Sequence, residues 1–187
     1  MSRTMSIGQT QSRSGLTHVA LIVTGALFMA LCAQVSIPLP FSPVPITLQT
    51  FGIALIGGVL GSRRGAASLA TYLLMGLAGM HVFAQAYGAA AFFLPTSGYL
   101  YSFVPGAFVI GWLVERGMRN GFAAFLAILI GEAVIMGSGA AYLSCFVGLQ
   151  KGFALGFYPF IPGAIIKGLM AVALLPSGHK FLARLGV

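Results

Sequence analysis

Six apolar stretches, Leu16–Ile37, Ile46–Leu60, Gly65–Val82, Gly98–Val114, Phe122–Val147 and Phe157–Leu175, make up most of this 187-residue chain. A helix that crosses a bilayer needs about 20 predominantly apolar residues, within a range of about 17–25. Charged residues are only 6% of the chain and hydrophobic ones 58%, whereas a soluble domain carries about a quarter of its residues as charges. The solvent for most of this protein is therefore lipid, and the fold class is an all-α membrane protein with six transmembrane helices. The second and third stretches are short, and Gly57, Gly58 and Gly61 thin the second further. They predict two thin or tilted spans, with a re-entrant hairpin as the alternative. Either keeps an even number of crossings.

The formal charge of +8 comes from ten Lys and Arg against Glu115 and Glu132. Nucleic-acid binding wants cations on one face among exposed aromatics; here they fall in the gaps between apolar stretches, where Lys and Arg mark the cytoplasmic side. Arg3, Arg13, Arg63, Arg64, Arg116, Arg119, Lys180 and Arg184 all fall in alternate gaps, and the opposite gaps hold only Lys151. Both termini are predicted on the cytoplasmic side. Residues 1–15 read as a cytoplasmic tail and 16–187 as one membrane domain. The first stretch exceeds the 7–15 residues of a signal-peptide core and lacks a clean cleavage site, so it reads as a retained helix. Cys32 and Cys145 both sit in apolar stretches and read as lone buried thiols, with no disulfide framework and no metal site.

The gaps assigned to the outer side are unusual. The first holds four prolines in eight residues, Pro38, Pro40, Pro43 and Pro45, which exclude a helix and predict a stiff polyproline-like path. This loop is uncharged and apolar between its prolines, so it is expected to fold back on the bundle as a cap, with a rigid headgroup-level spacer as the alternative. The second outer loop, 81–97, is also uncharged. Together the two bring Gln34, Thr47, Gln49, Gln85, Thr96, Tyr99 and Tyr101 toward one region. Aromatic and apolar walls with a few neutral hydrogen-bonding groups describe a small-molecule pocket; the alternative is that each polar group only satisfies loop backbone.

Two ionisable residues lie inside the apolar stretches, where charges are costly and mark function by default. Lys167 follows Pro159 and Pro162 near the outer end of the sixth stretch and is placed to meet a ligand carboxylate. Glu132 lies near the middle of the fifth. The two either neutralise each other, as buried charges do, or serve a ligand. No GxxxxGK[ST], HExxH or GxSxG motif is present, which removes those routes to nucleotide, zinc and serine chemistry. Binding or permeation without a cofactor is the better class, against a membrane enzyme or scaffold in which Lys167 and Glu132 are only a structural pair.

Small residues let helices approach closely in lipid. Ala26, Ala30 and Ala33 form one such stripe and Gly148, Gly152 and Gly156 another; each serves either internal packing or docking of another protein.

The segments Pro43–Thr50, Pro95–Leu100 and Pro159–Gly163 ahead of Lys167 resemble the BioY family of biotin transporters, over roughly residues 26–175. The resemblance implies a substrate-binding S component of an energy-coupling factor (ECF) transporter. It also implies external capture of biotin, and partnership with one transmembrane coupling protein and two ATPase subunits that supply the ATP hydrolysis. By the same resemblance the site draws on Gln85, Tyr99 and the helix near Lys167, and Ala26 and Ala30 match the surface that S components turn to the coupling protein. The chain departs from the family at Ala164, where an Asp is usual one turn before the Lys. Losing a charged partner commonly costs about 1.5–3 kcal/mol. Either Gln85, Tyr99 or Glu132 compensates, or affinity or ligand identity differs, which leaves another small vitamin-like ligand as the alternative to biotin.

Overall fold

The computed structural model describes residues 4–84 and 88–184, with side chains from residue 15 onward. It is mostly helical: α1 (Thr4–Gln34), α2 (Gln49–Leu77), α3 (Ser97–Glu115), α4 (Gly121–Val147), the short α5 (Leu149–Gly156) and α6 (Ile161–Arg184). Four helical stretches among the described residues are long and apolar enough to cross a membrane: Gly15–Gln34, Ser97–Glu115, Gly121–Val147 and Leu149–Arg184. Large apolar side chains face outward, among them Leu16, Leu31, Phe93 and Phe122. Water does not tolerate such a surface in patches this extensive; hydrocarbon does.

α2 contains most of the second and third apolar stretches, broken at Gly61, where φ is 83° and ψ 179°. That backbone conformation is cheap only for glycine. Beyond the break the chain turns back: Gln49 Nε2 donates to the Tyr72 hydroxyl at 3.0 Å, and Gly65 packs on Gly57. In one straight helix Gln49 and Tyr72 would lie about 34 Å apart by a rise of 1.5 Å per residue. The two halves therefore run antiparallel, as two short helices in a hairpin.

Glycines set the crossing of α3 and α4. A methyl on Gly106 would lie 2.5 Å from Ile135 Cγ1, and one on Gly131 would lie 2.2 Å from Ile110 Cγ1. Each isoleucine is thus seated in the notch left by the opposing glycine, which is how helices gain dispersion contacts where lipid removes the hydrophobic drive. Gly152 approaches Ser144 in the same way, so the second glycine stripe packs α5 onto α4.

The proline-rich loop departs from expectation. It is an antiparallel β-ribbon, β1 (Ser36–Leu39) and β2 (Ser42–Thr47), paired Ser36 to Thr47, Ile37 to Ile46 and Leu39 to Ser42. The pairing is irregular between Ile37 and Leu39, where Pro38 has no N–H to give. Proline's φ of about −65° sits on a polyproline path and still falls within the edge of the broad β region, and in a two-stranded ribbon alternate amides face an open edge where none is needed. Pro43 and Pro45, two apart, can share that edge. The ribbon is held down at its tip, where the Ser42 hydroxyl donates to the Leu155 carbonyl of α5 at 2.8 Å.

Candidate functional site

The inward face of α6 carries Ala164, Lys167, Gly168, Ala171 and Leu175, spaced three and four residues apart, so one face of the helix brings them all inward. Lys167 is the only polar member. Its ammonium donates to the Thr50 hydroxyl at 2.6 Å and to the Thr47 carbonyl at 3.2 Å. Thr47 ends β2 and Thr50 lies in the first turn of α2. The cation therefore sits beside the positive end of a helix dipole, and these two oxygens offset that repulsion. An ammonium and a helix N-terminus aimed at one spot make a place for an anion.

Glu132 comes from the inward face of α4, with Ile128, Gly131, Ile135 and Met136. It is 1% exposed; neither carboxylate oxygen reaches full hydrogen-bond geometry with a described residue, though the Thr50 hydroxyl is close enough to interact with it. Glu132 and Lys167 attract one another across the intervening space, but they are not joined by a hydrogen bond. The ammonium is spent on Thr50 and Thr47 instead.

Between these groups lies a cavity walled by Thr47, Gln49, Thr50, Tyr99, Glu132 and Lys167, with Phe83, Phe103, Phe160 and Met136 as its apolar lining. Its free interior is about 110 Å³, space for several water molecules where one needs about 10–15 Å³. Val44 and Pro45 of the ribbon close one side, so the proline-rich segment does lie over a cavity. Ala91, in the 3-10 turn Gly88–Phe93, closes another. Several of the polar walls are pinned. The Tyr99 hydroxyl donates to the Gly156 carbonyl at 2.5 Å, and its ring lies on Gly139, where a side chain could not fit. Gln49 is held by Tyr72, whose own hydroxyl donates to the Val82 carbonyl at 3.1 Å.

Of the residues expected at the site, Thr47, Gln49, Thr96, Tyr99, Glu132, Ala164 and Lys167 all border this cavity. Gln34 does not: its amide donates back to Ala30 of its own helix. Tyr101 also lies apart, bonded to the Phe92 carbonyl at 2.6 Å and half exposed. Gln85 and the inner cation Arg3 lie outside the described residues. Ala26 and Ala33 are fully buried in the core, with Ala30 packed against it. Sequence reasoning missed Thr50, the residue nearest the ammonium; the signal was its place one helical turn after Thr47 at the mouth of the same cap. It also missed Phe103 and Phe160, which lie in the fourth and sixth apolar stretches, and did not single out Phe83 within the second outer loop.

The BioY family's sequence profile matches residues 3–184. The chain is 40% identical to the biotin transporter BioY of Thermotoga maritima over 166 residues, covering 87% of this chain and 91% of that protein. It is 39% identical to the biotin transporter BioY of Rhizobium etli, over 82% of this chain and 89% of the relative. Among solved structures it is similar to the S-component for biotin from an ECF-type ABC transporter, with a TM-score of 0.76 and 25% identity over 96% of this chain and 95% of that one. A profile match across almost the full length, joined to the same overall fold, leaves one assignment: this chain belongs to the BioY family.

Proposed function

We propose that this protein captures biotin with high affinity on the outer side of the bacterial cytoplasmic membrane and passes it inward as the S component of an ECF transporter. The observation that carries the proposal is the capped cavity with the Lys167 ammonium at its wall, beside the N-terminus of α2. Biotin's carboxylate is an anion for that spot, and its ring system suits the wall of Phe83, Phe103, Phe160 and Met136. Its ureido group brings two N–H donors, and the Glu132 carboxylate is a buried acceptor with the Thr50 hydroxyl as its nearby donor. A buried acceptor gains most from a full set of donors, so a ligand with N–H donors suits this carboxylate. The binding set proposed is Lys167, Glu132, Tyr99, Thr47 and Gln49, with Gln85 from the second outer loop and Ala164 as wall; Gln34 and Tyr101, which do not border the cavity, are left out of it.

In this reading the chain crosses the membrane six times, with each half of α2 counted as a thin span, and keeps both termini inside. It has no catalytic residues; one transmembrane coupling protein and two ATPase subunits do the work of ATP hydrolysis. A second reading follows from Ala164, which is buried in the cavity wall where the family resemblance implies an acid: the same transport function for another vitamin-like ligand. Mass spectrometry of the small molecule that co-purifies with the protein decides between them. Biotin supports the first reading, a different molecule the second, and the absence of any ligand together with no biotin binding by titration overturns both.

A further inference from the structure

A second cavity lies at the other end of the bundle. Lys167 and His179 are twelve residues apart on α6, about 18 Å along its axis, and Gln49 and Gly61 are separated equally on the first half of α2. At that far end the break in α2, the loop after α3 and the last turns of α6 enclose about 640 Å³, unlike the first cavity in being strongly charged. Arg63, Arg64 and Arg119 line it, together with His179, Ser62 and Glu115.

The hydrogen bonding within it is uneven. Glu115 is committed: its two carboxylate oxygens accept the Ser62 backbone N–H and the Ser62 hydroxyl, both at 2.7 Å, which caps the second half of α2 where Gly61 interrupts the helix. His179 is bonded to the Gly58 carbonyl at 2.9 Å. Arg119 gives only its Nε, to the Val114 carbonyl at 3.3 Å, and keeps both terminal nitrogens. The Arg63 and Arg64 side chains have no hydrogen-bond or ion-pair partner among the described residues, Arg64 accepting the Ser68 hydroxyl at its backbone carbonyl. Three guanidinium groups thus face a cavity holding one carboxylate that is already spoken for. Guanidinium forks bind phosphate oxygens two at a time, and basic pockets between transmembrane helices take lipid phosphate groups. The remaining wall is apolar, with Val59 and Leu60 half-buried and Val114 and Leu182 buried, which suits a phosphate attached to an acyl chain.

We infer that Arg63, Arg64 and Arg119 form a phosphate-binding site, distinct from the cavity at Lys167, whose occupant is the phosphodiester of an anionic phospholipid or a free phosphate. This site stands whether or not the Lys167 cavity binds biotin.

The test uses the full chain purified in a neutral detergent. Native mass spectrometry and thermal unfolding are followed on adding phosphatidylglycerol, phosphatidylcholine or inorganic phosphate. The expected result is preferential retention of phosphatidylglycerol over phosphatidylcholine with a higher unfolding temperature. At about 1 kcal/mol for each basic residue near the charged surface, the double variant R63Q/R119Q should lower that preference roughly thirtyfold while leaving biotin titration unchanged. R63K/R119K keeps the charge without the fork and should fall between the two. Stabilisation by inorganic phosphate as strong as by phosphatidylglycerol, lost in the same variants, supports the phosphate site and assigns it a soluble source. Equal retention of both lipids with no effect of phosphate overturns the inference, as does a preference for phosphatidylglycerol that survives the double Gln substitution.

Discussion

The Lys167 ammonium and the Thr50 hydroxyl meet at 2.6 Å across 117 residues of sequence, joining α6 to the first turn of α2 directly beneath the β-ribbon. The contact matters because it orients a cation without neutralising it. A hydroxyl leaves the full positive charge available, whereas a hydrogen-bonded carboxylate would cancel it.

Lys167→Ala is therefore expected to cost the protein its charge-assisted bond to the ligand, about 1.5–3 kcal/mol, or roughly a ten- to hundredfold weaker biotin dissociation constant. Thr50→Val should leave the charge in place but free the side chain, with a loss of several-fold at most. Isothermal titration of both variants checks the order; equal losses would mean that position, not charge, carries the effect.

Glu132→Gln separates stability from binding. The carboxylate is buried and its oxygens lack full hydrogen-bond geometry with any described residue, so neutralising it should raise the unfolding temperature of the ligand-free protein. If its oxygens accept the ureido N–H groups, the same change should weaken biotin by at least tenfold, since bonds to charged groups contribute about 1.5–3 kcal/mol. Differential scanning of the variant with and without biotin reads both at once. A lower ligand-free stability would place Glu132 among the structural residues instead.

Ala164 and Lys167 are one turn apart on the inward face of α6, and both border the cavity with Glu132. Ala164→Asp alone adds a second acid beside one cation, and like charges sharing a site disfavour each other's ionised form. Placed on the Glu132→Gln background, the same Asp restores one acid to the cavity. Biotin affinity should then recover in the double variant and fall or stay level in the single one, a sign change that a double-mutant cycle detects. Additive effects would mean that the two positions do not share a ligand.

The membrane character and the pairing of runs into helices were legible because they depend on composition and length, which sequence states directly. The pairing of Lys167 with Thr50 was not, because it depends on how far the two halves of α2 turn back at Gly61, a backbone event with no periodicity of its own. The polyproline-like path expected of the proline-rich loop gives way to a ribbon for a related reason: Pro38, Pro40, Pro43 and Pro45 fix φ at about −65° but not whether a second strand lies alongside, and that φ falls at the edge of the broad β region as well as on a polyproline path. Small residues were legible as close-packing sites but not as to partner. Ala26 on α1 faces the core, and only the rotation of α1 about its own axis decides that.

Ser42 supplies the tie between the ribbon's tip and α5 through the Leu155 carbonyl, and its hydroxyl also accepts the Val44 backbone N–H at 3.1 Å. Ser42→Ala removes both. A neutral hydrogen bond contributes about 1 kcal/mol net, so the cap should open more readily and bound biotin should leave about fivefold faster. Stopped-flow chase with unlabelled biotin measures this rate, and an unchanged rate would show that release does not pass beneath the ribbon.

Gly61 and Gly111 test the hinge of α2. A methyl on Gly111 would lie 2.3 Å from the Ser62 backbone nitrogen, and backbone cannot rotate aside as a side chain can. A side chain on Gly61 would meet the Glu115 carboxylate in a backbone conformation that only glycine adopts easily. Each change to Ala forces α2 and α3 apart at the point where Ser62 and Glu115 are bonded, so overpacking of about 1–3 kcal/mol is expected, read as a lower unfolding temperature in detergent. Glu115→Gln keeps the shape and an acceptor for the Ser62 N–H, and should cost less than either glycine substitution. If Gly111→Ala unfolds at the wild-type temperature, the two halves of α2 are not held by that close approach. The antiparallel arrangement would then rest on Gln49 and Tyr72 at the opposite end, where Tyr72→Phe would become the damaging substitution.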